Sequence, residues 1–227
     1  AGSVWCWARM MSWASEAVRV GPQHVHKTIK EGVDAAKKQQ DMITAAGVAL
    51  PEGSVLVLVE PAKASGVYAE LATIRVKGDQ RVSIWACDRE AETDVKVMQK
   101  VEWMSCDRAM MLTSGALVSV SVDGFRMCAT NSEGYQGAAF DCVRATESSS
   151  LSLARCDLTC ESDGHVATVT VQGEGSEAEM VSNHIYDGKS VGVFVCNKGK
   201  AKMRDNNIHS NTKHGVRAEG EGSEAEM

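Results

Sequence analysis

The octapeptide GEGSEAEM ends at Met180 and occurs again ending at Met227. A degenerate version lies between the copies. Met180, Asn183, Ile185, Gly192, Val193 and Val195 are each followed 23 positions later by a like residue: Met203, Asn206, Ile208, Gly215, Val216 and Ala218. Self-similarity at a short fixed period marks a solenoid, whose repeats stack because none can bury its apolar face alone. A repeat of this length is too short for the two helices of a helical repeat, which takes about 34 residues. It suits three strands of about 3–5 residues joined by turns, which pair in parallel on successive coils about 4.8 Å apart.

Equivalent side chains then stack in ladders. Met180 over Met203, Ile185 over Ile208 and Val193 over Val216 should form interior columns. Asn183 over Asn206 reads as a structural corner ladder, its amides bonded along the stack, rather than as an active-site pair. Upstream, Val118/Val120/Asp123/Phe125, Leu151/Leu153/Cys156/Leu158 and Ala178/Met180/Asn183/Ile185 repeat the same apolar–corner–apolar pattern, spaced 33 and then 27 residues apart. Extra residues in one turn account for the variation.

The first part of the chain reads differently. Trp5, Trp7, Met10, Met11 and Trp13 share a short segment whose helical face would cover the open end of a core. After the Gly21-Pro22 break, Thr28 and Glu31 form a capping box. Ile29, Val33 and Ala36 follow at helical spacing, predicting an amphipathic helix from 28 to about 40. Strands are expected at 54–60, 67–76, 81–87, 116–125, 138–143, 150–158, 166–172, 178–186, 191–196, 201–209 and 215–218. The expected division is an N-terminal helical cap over 1–50 and the stacked coils over 51–227.

The 227 residues carry 24 Lys and Arg against 30 Asp and Glu, a formal charge of −6. That balance opposes non-specific binding to nucleic acid, which requires phosphates to be neutralised. No apolar run approaches the ~20 residues that cross a bilayer, so no membrane association is expected. The eight cysteines include no CxxC pair and no zinc spacing. Several lie in strand-like apolar runs, so they are expected to be reduced and buried, in a cytoplasmic protein. No cofactor and no metal site is expected.

The segment NHIYDGKSVGVFVCNKGKAKMRDNNIHSNTKHGVRA (183–218) resembles the right-handed parallel β-helix repeats, with their N-x-I-x-x-[GN]…G-V-x-V signature. Among these it is similar to the β-helix region of F-box-only ubiquitin-ligase substrate adaptors and, more distantly, to pectin-lyase-like carbohydrate enzymes. The helix KTIKEGVDAAKK before VLVLVEP…GVYAE also looks like the start of such domains. The resemblance implies an all-β solenoid, a single-stranded right-handed parallel β-helix with N-terminal capping helices. In the adaptors such a rod recognises proteins; in the enzymes the site lies on the outer face of one parallel sheet. No F-box-like stretch is present, so ligase function does not carry over.

With Val169/Val171, Val193/Val195 and Val216/Ala218 assigned inward, Thr170, Phe194 and Arg217 point outward in one column. Asp141 is placed in that column one coil earlier. Glycoside hydrolysis needs two carboxylates about 5–10 Å apart, and these residue types supply no such pair. Phe beside Arg is instead a composition enriched at protein interfaces. His184 and His209, the latter stacking under Tyr186, read as exposed strand or corner residues rather than metal ligands. His165 and His214 read as turn residues, and His24 with His26 as half a metal site lacking a partner. The acidic loops 87–94 and 141–148 lack the glycine of a calcium loop. Gly173, Gly175, Gly220 and Gly222 read as turn glycines.

The expected function is therefore a non-catalytic protein–protein interaction scaffold. Carbohydrate binding or polysaccharide cleavage by a lyase or hydrolase is the alternative. The repeat breaks off at Met227, so the native protein is expected to continue, and the exposed strand edges to self-associate end to end.

Overall fold

The computed structural model describes residues 17–45, 55–60, 67–70, 73–77, 80–86, 101–106, 109–115, 118–133, 136–137, 140–162, 164 and 167–227. The Trp-rich segment, His165, Cys6 and Cys87 lie outside them.

The described strands wind in triplets, one strand from each triplet going to each of three parallel sheets. After β1 (Val18–Val20) and the helix α1 (Ile29–Ala45), the first coil is β2 (Val55–Val59), β3 (Val67–Ala69) and β4 (Ile74–Lys77). The second is β5 (Arg81–Ala86), β6 (Val101–Cys106) and β7 (Met111–Ser114). The third is β8 (Ser119–Asp123), β9 (Phe125–Thr130) and β10 (Val143–Thr146). The fourth is β11 (Ser150–Ala154), β12 (Asp157–Cys160) and β13 (Ala167–Gln172). Then come β14 (Glu177–Val181), β15 (His184–Tyr186) and β16 (Val191–Cys196), followed by β17 (Lys200–Arg204), β18 (Asn207–His209) and β19 (Val216–Glu219). β20 (Glu224–Glu226) opens a further coil. Sheet I runs β1-β2-β5-β8-β11-β14-β17-β20, sheet II holds β3, β6, β9, β12, β15 and β18, and sheet III holds β4, β7, β10, β13, β16 and β19.

The expected ladders are present. Met180 pairs with Met203, Ile185 with Ile208 and Val193 with Val216. Met180, Ile185 and Val193 have no solvent exposure and belong to one core running the length of the coils. Each such side chain contributes about 1.5–3 kcal/mol of burial. One register differs. Leu151 pairs with Val120 and Leu153 with Val122, an offset of 31 rather than 33. A slip of two preserves the inward face of a strand, so sequence pattern alone does not distinguish the two registers.

Several expected strands divide at a corner. Arg155, Ser182 and Asp205 hold left-handed φ of 51°, 55° and 57°, and Gly124 holds 80° at the matching bend. The bends at Gly124, Arg155 and Ser182 donate their N–H to the next coil, to Ala154 O, Val181 O and Arg204 O, each at 3.0 Å. The chain therefore turns sharply without leaving a buried donor unmet. The strands β6 and β7, and the long β9, were not foreseen. β6 alternates buried and half-exposed residues around Trp103, which is fully buried against Phe125 with centroids 6.1 Å apart. Of the strand expected at 138–143, residues 140–142 are not strand and β10 begins at Val143.

The two copies of the octapeptide make the same corner. Ser176 Oγ donates to Gln172 O at 2.8 Å and accepts from Ser148 N at 3.1 Å. Ser223 Oγ donates to Glu219 O at 2.8 Å and accepts from Lys198 N at 3.0 Å. Beyond the corner, Glu177 and Glu179 of β14 stand beside Lys200 and Lys202 of β17, which stand beside Glu224 and Glu226 of β20. Lys200 Nζ lies 3.1 Å from Glu224 Oε2.

At the other end α1 begins with the expected capping box. Glu31 N–H donates to Thr28 Oγ1 at 3.1 Å and Thr28 N–H to Glu31 Oε2 at 3.2 Å. Val20, Ile29, Val33 and Ala36 are fully buried where the helix meets β1 and β2. The stretch expected to be a helical cap thus also contributes a strand, β1, which pairs in parallel with β2. The carboxylate of Glu70 reaches the helix N-terminus, accepting from Ile29 N and from Lys30 N, the latter at 3.0 Å.

Candidate functional site

Each sheet has an inward and an outward set of side chains, so function falls to the outer faces. On sheet III the outward column is Arg75, Leu112, Arg144, Thr170, Phe194 and Arg217. Thr170, Phe194 and Arg217 occupy adjacent strands, as read from the sequence. The Arg217 guanidinium carbon stands 5.7 Å from the Phe194 ring centroid, and its Nη2 lies 2.8 Å from Glu219 Oε2. Thr170 is only 2% exposed, so it supports the column without offering contact area.

Asp141 is not in that column. The register sets Val143 opposite Val169, which puts Arg144 in the position expected for Asp141. Asp141 is buried at the bend before β10. It accepts from Arg144 Nε at 2.7 Å and from Ala167 N–H at 3.1 Å, and Arg144 Nη2 lies 2.6 Å away. Its role is to hold the Arg144 side chain and to satisfy the first N–H of β13. Cys196, on the same face, is buried, and burial pushes its thiol pKa up while Arg144 opposes the rise.

The outer face of sheet II carries chemistry that the sequence reading passed over. Its first column runs Glu102, Arg126, Asp157, His184, Asn207. Arg126 Nη1 lies 2.7 Å from Glu102 Oε1, and Nε lies 4.0 Å from Asp157 Oδ2. His184 Nδ1 faces Asp157 Oδ1 at 3.7 Å. In the second column Tyr186 stands beside His209. The His184 ring stacks on Tyr186 with centroids 4.4 Å apart, and its Nε2 is 2.6 Å from Nε2 of His209. Burial and the nearby Asp157 raise the Tyr186 hydroxyl pKa. Three rings thus form a continuous patch beside an Arg and two carboxylates. The signal for it was present: His184, Tyr186 and His209 all take outward positions of β15 and β18.

The other candidates resolve into structure. Asn183 Oδ1 accepts from Cys156 N–H at 3.0 Å, and Asn183 Nδ2 donates to Leu153 O at 2.8 Å. His24 Nε2 lies 2.9 Å from Glu60 Oε1. Among the described residues, no group of three or more His, Cys, Asp or Glu is placed to hold a metal ion, and no helix is long and apolar enough to cross a membrane. Cys106, Cys128, Cys142, Cys156, Cys160 and Cys196 are free thiols.

Residues 119–227 match the family described as the right handed beta helix region. Together with the parallel three-sheet winding, the match supports the β-helix repeat family and a right-handed parallel β-helix fold. The matched stretch covers β8 to β20, and so includes both the Phe194–Arg217 contact and the three-ring patch. The match is to the β-helix repeats alone and carries no F-box adaptor relation. No curated protein and no solved structure matches the chain at a significant level.

Proposed function

We propose that this β-helix is a non-catalytic recognition scaffold whose sheet III face docks an acidic stretch of a partner protein. One observation carries the reading: the outward column of that face presents Arg75, Arg144 and Arg217 with Leu112 and Phe194 between them, Arg144 held by Asp141 and Arg217 by Glu219. Within a chain of net charge −6, a stripe of arginine and apolar side chains favours an acidic partner, whose carboxylates can share the guanidinium donors left over by Asp141 and Glu219. Arg and aromatic side chains are also the types that dominate interface energetics. The face is flat and its backbone is hydrogen-bonded on both sides, so docking orders few groups. The free thiols fit residence in a reducing compartment.

The test is fluorescence-anisotropy binding of an acidic peptide set to the full chain, against Phe194→Ala combined with Arg217→Glu. Loss of binding at an unchanged melting temperature supports the proposal. Equal binding by both proteins discards this face.

Carbohydrate handling is the second reading, favoured by the ring patch of sheet II beside Arg126 and Asp157. Aromatic faces and a guanidinium suit a sugar acid, and Glu102 and Asp157 flank Arg126 on the neighbouring strands. A glycan array, and turnover of acidic polysaccharides by the full chain with Asp157→Asn as control, distinguishes this reading from protein docking.

A further inference from the structure

We propose that His184 and His209 form a two-histidine site for a divalent transition ion of the imidazole-preferring class (copper, nickel or zinc), stapling β15 to β18. The proposal does not depend on the protein-docking face of sheet III.

The two imidazoles approach through the same atom. Nε2 of His184 lies 2.6 Å from Nε2 of His209, and the ring centroids are 4.8 Å apart. The opposite nitrogen of each ring faces an oxygen. Nδ1 of His184 looks toward Asp157 Oδ1 at 3.7 Å, and Nδ1 of His209 lies 2.9 Å from Ser210 Oγ. In a metal-binding histidine the remote N–H is turned to a carboxylate or hydroxyl, which leaves the other nitrogen's lone pair for the ion; Ser210 Oγ is at hydrogen-bond distance from His209, and Asp157 is a charge neighbour of His184 beyond that distance. In the tautomers that carry the proton on Nδ1, the Nε2 lone pairs of both rings face the same gap.

The two nitrogens stand at hydrogen-bond distance, with the donor set by the tautomer. A metal ion at about 2.0–2.1 Å from each nitrogen sets the two nitrogens ~2.9 Å apart at a square-planar ion and ~3.3 Å apart at a tetrahedral one, so the side-chain tips part by ~0.3–0.8 Å. Both tips can move, since the His184 side chain is 38% exposed and His209 is exposed. The backbone of both strands is meanwhile held by parallel pairing, with Tyr186 opposite His209. Stacking on Tyr186, with the planes 27° apart, keeps the His184 ring upright on the sheet. With two protein ligands, water takes the remaining positions, so the ion is exchangeable and its affinity follows the order copper above nickel.

The full chain, freed of metal with chelator, is titrated with zinc chloride by calorimetry. With cupric ion it is followed by electron paramagnetic resonance. One site is expected, with two equatorial nitrogens on copper and a raised melting temperature. His184→Gln or His209→Gln should weaken zinc at least ~10-fold and remove the two-nitrogen signature, and Asp157→Asn should weaken it about 10-fold. His214→Gln, in an exposed turn, should change nothing. Because both histidines are at the surface, circular dichroism should show the variants folded. If His184→Gln/His209→Gln binds zinc and copper as the wild type does, or if the wild type binds neither, the pair shares only a proton and the proposal fails.

Discussion

Asn206 Oδ1 sits 2.8 Å from the backbone nitrogen of Asn183 and 3.0 Å from its Nδ2, so one side chain ties the corner beside it with two bonds. Asn183 does the same for the coil before it, through Cys156 N–H and Leu153 O. Removing Asn183 orphans two buried backbone groups. Asn183→Ala should therefore cost about 1–3 kcal/mol, and Asn206→Ala, at a half-exposed corner, should cost less. Urea unfolding checks the order; equal losses would mean that the ladder is not the source.

Glu70 makes the helical end of the protein pH-sensitive. Its carboxyl is buried, and desolvation raises its pKa above the ordinary 4.5 even though Ile29 and Lys30 donate to it. The folded state therefore holds this proton to higher pH than the unfolded chain does. The stability Glu70 contributes is fully present below about 4.5 and is lost as pH rises through the folded value. Melting temperatures of wild type and Glu70→Gln, compared from about pH 4 to about pH 7, should diverge across that window. A pH-independent difference would refute the assignment.

Gly192 has no room for a side chain. A Cβ there would stand 2.6 Å from Gly215 O, 2.8 Å from Asn211 Nδ2 and 2.9 Å from Ile208 Cγ2. Because the nearest atom belongs to the backbone of the next coil, Gly192→Ala should cost about 1–3 kcal/mol. At Gly215 the nearest atoms to a Cβ are 3.6 Å away, an ordinary contact. Gly215→Ala should stay within about 0.5 kcal/mol, and thermal melts of the pair decide.

Thiol chemistry should follow burial. Desolvation pushes Cys156 and Cys160 to about 12 and Cys128 to about 11, and Cys142 is fully buried. Since the thiolate is the reactive form, iodoacetamide near pH 8 should label half-exposed Cys106 well before Cys142, Cys156 or Cys160. Peptide mapping by mass spectrometry reads the order. Native-state labelling of Cys156 as fast as Cys106 would contradict the packing described.

The regular coils were legible because Val193 and Val216 are 23 residues apart and nothing is inserted between their strands. Upstream, insertions of unequal length precede β6 and β10, so periodicity could not align Asp141, and Arg144 holds the position expected for it. Apolar runs such as 150–158 and 201–209 read as single strands because Arg155 and Asp205 adopt left-handed φ without glycine to announce it. The His184–His209 pair escaped for a geometric reason. A repeat alignment matches residues straight across, Tyr186 with His209, whereas long side chains also meet on the diagonal.

The alternation of Glu177, Lys200 and Glu224 along sheet I gives the stretch from β14 to β20 a unit larger than its coil, whereas serine holds these positions in β8 and β11. Deleting the Lys200 coil would set Glu177 and Glu179 directly against Glu224 and Glu226, like charges in register on one face. From Met180 to Met227 is 47 positions, two coils, and there the octapeptide returns letter for letter. Lengthening or shortening this stretch one coil at a time breaks the sign order, whereas changing it by pairs preserves it. The electrostatic pitch is twice the mechanical one.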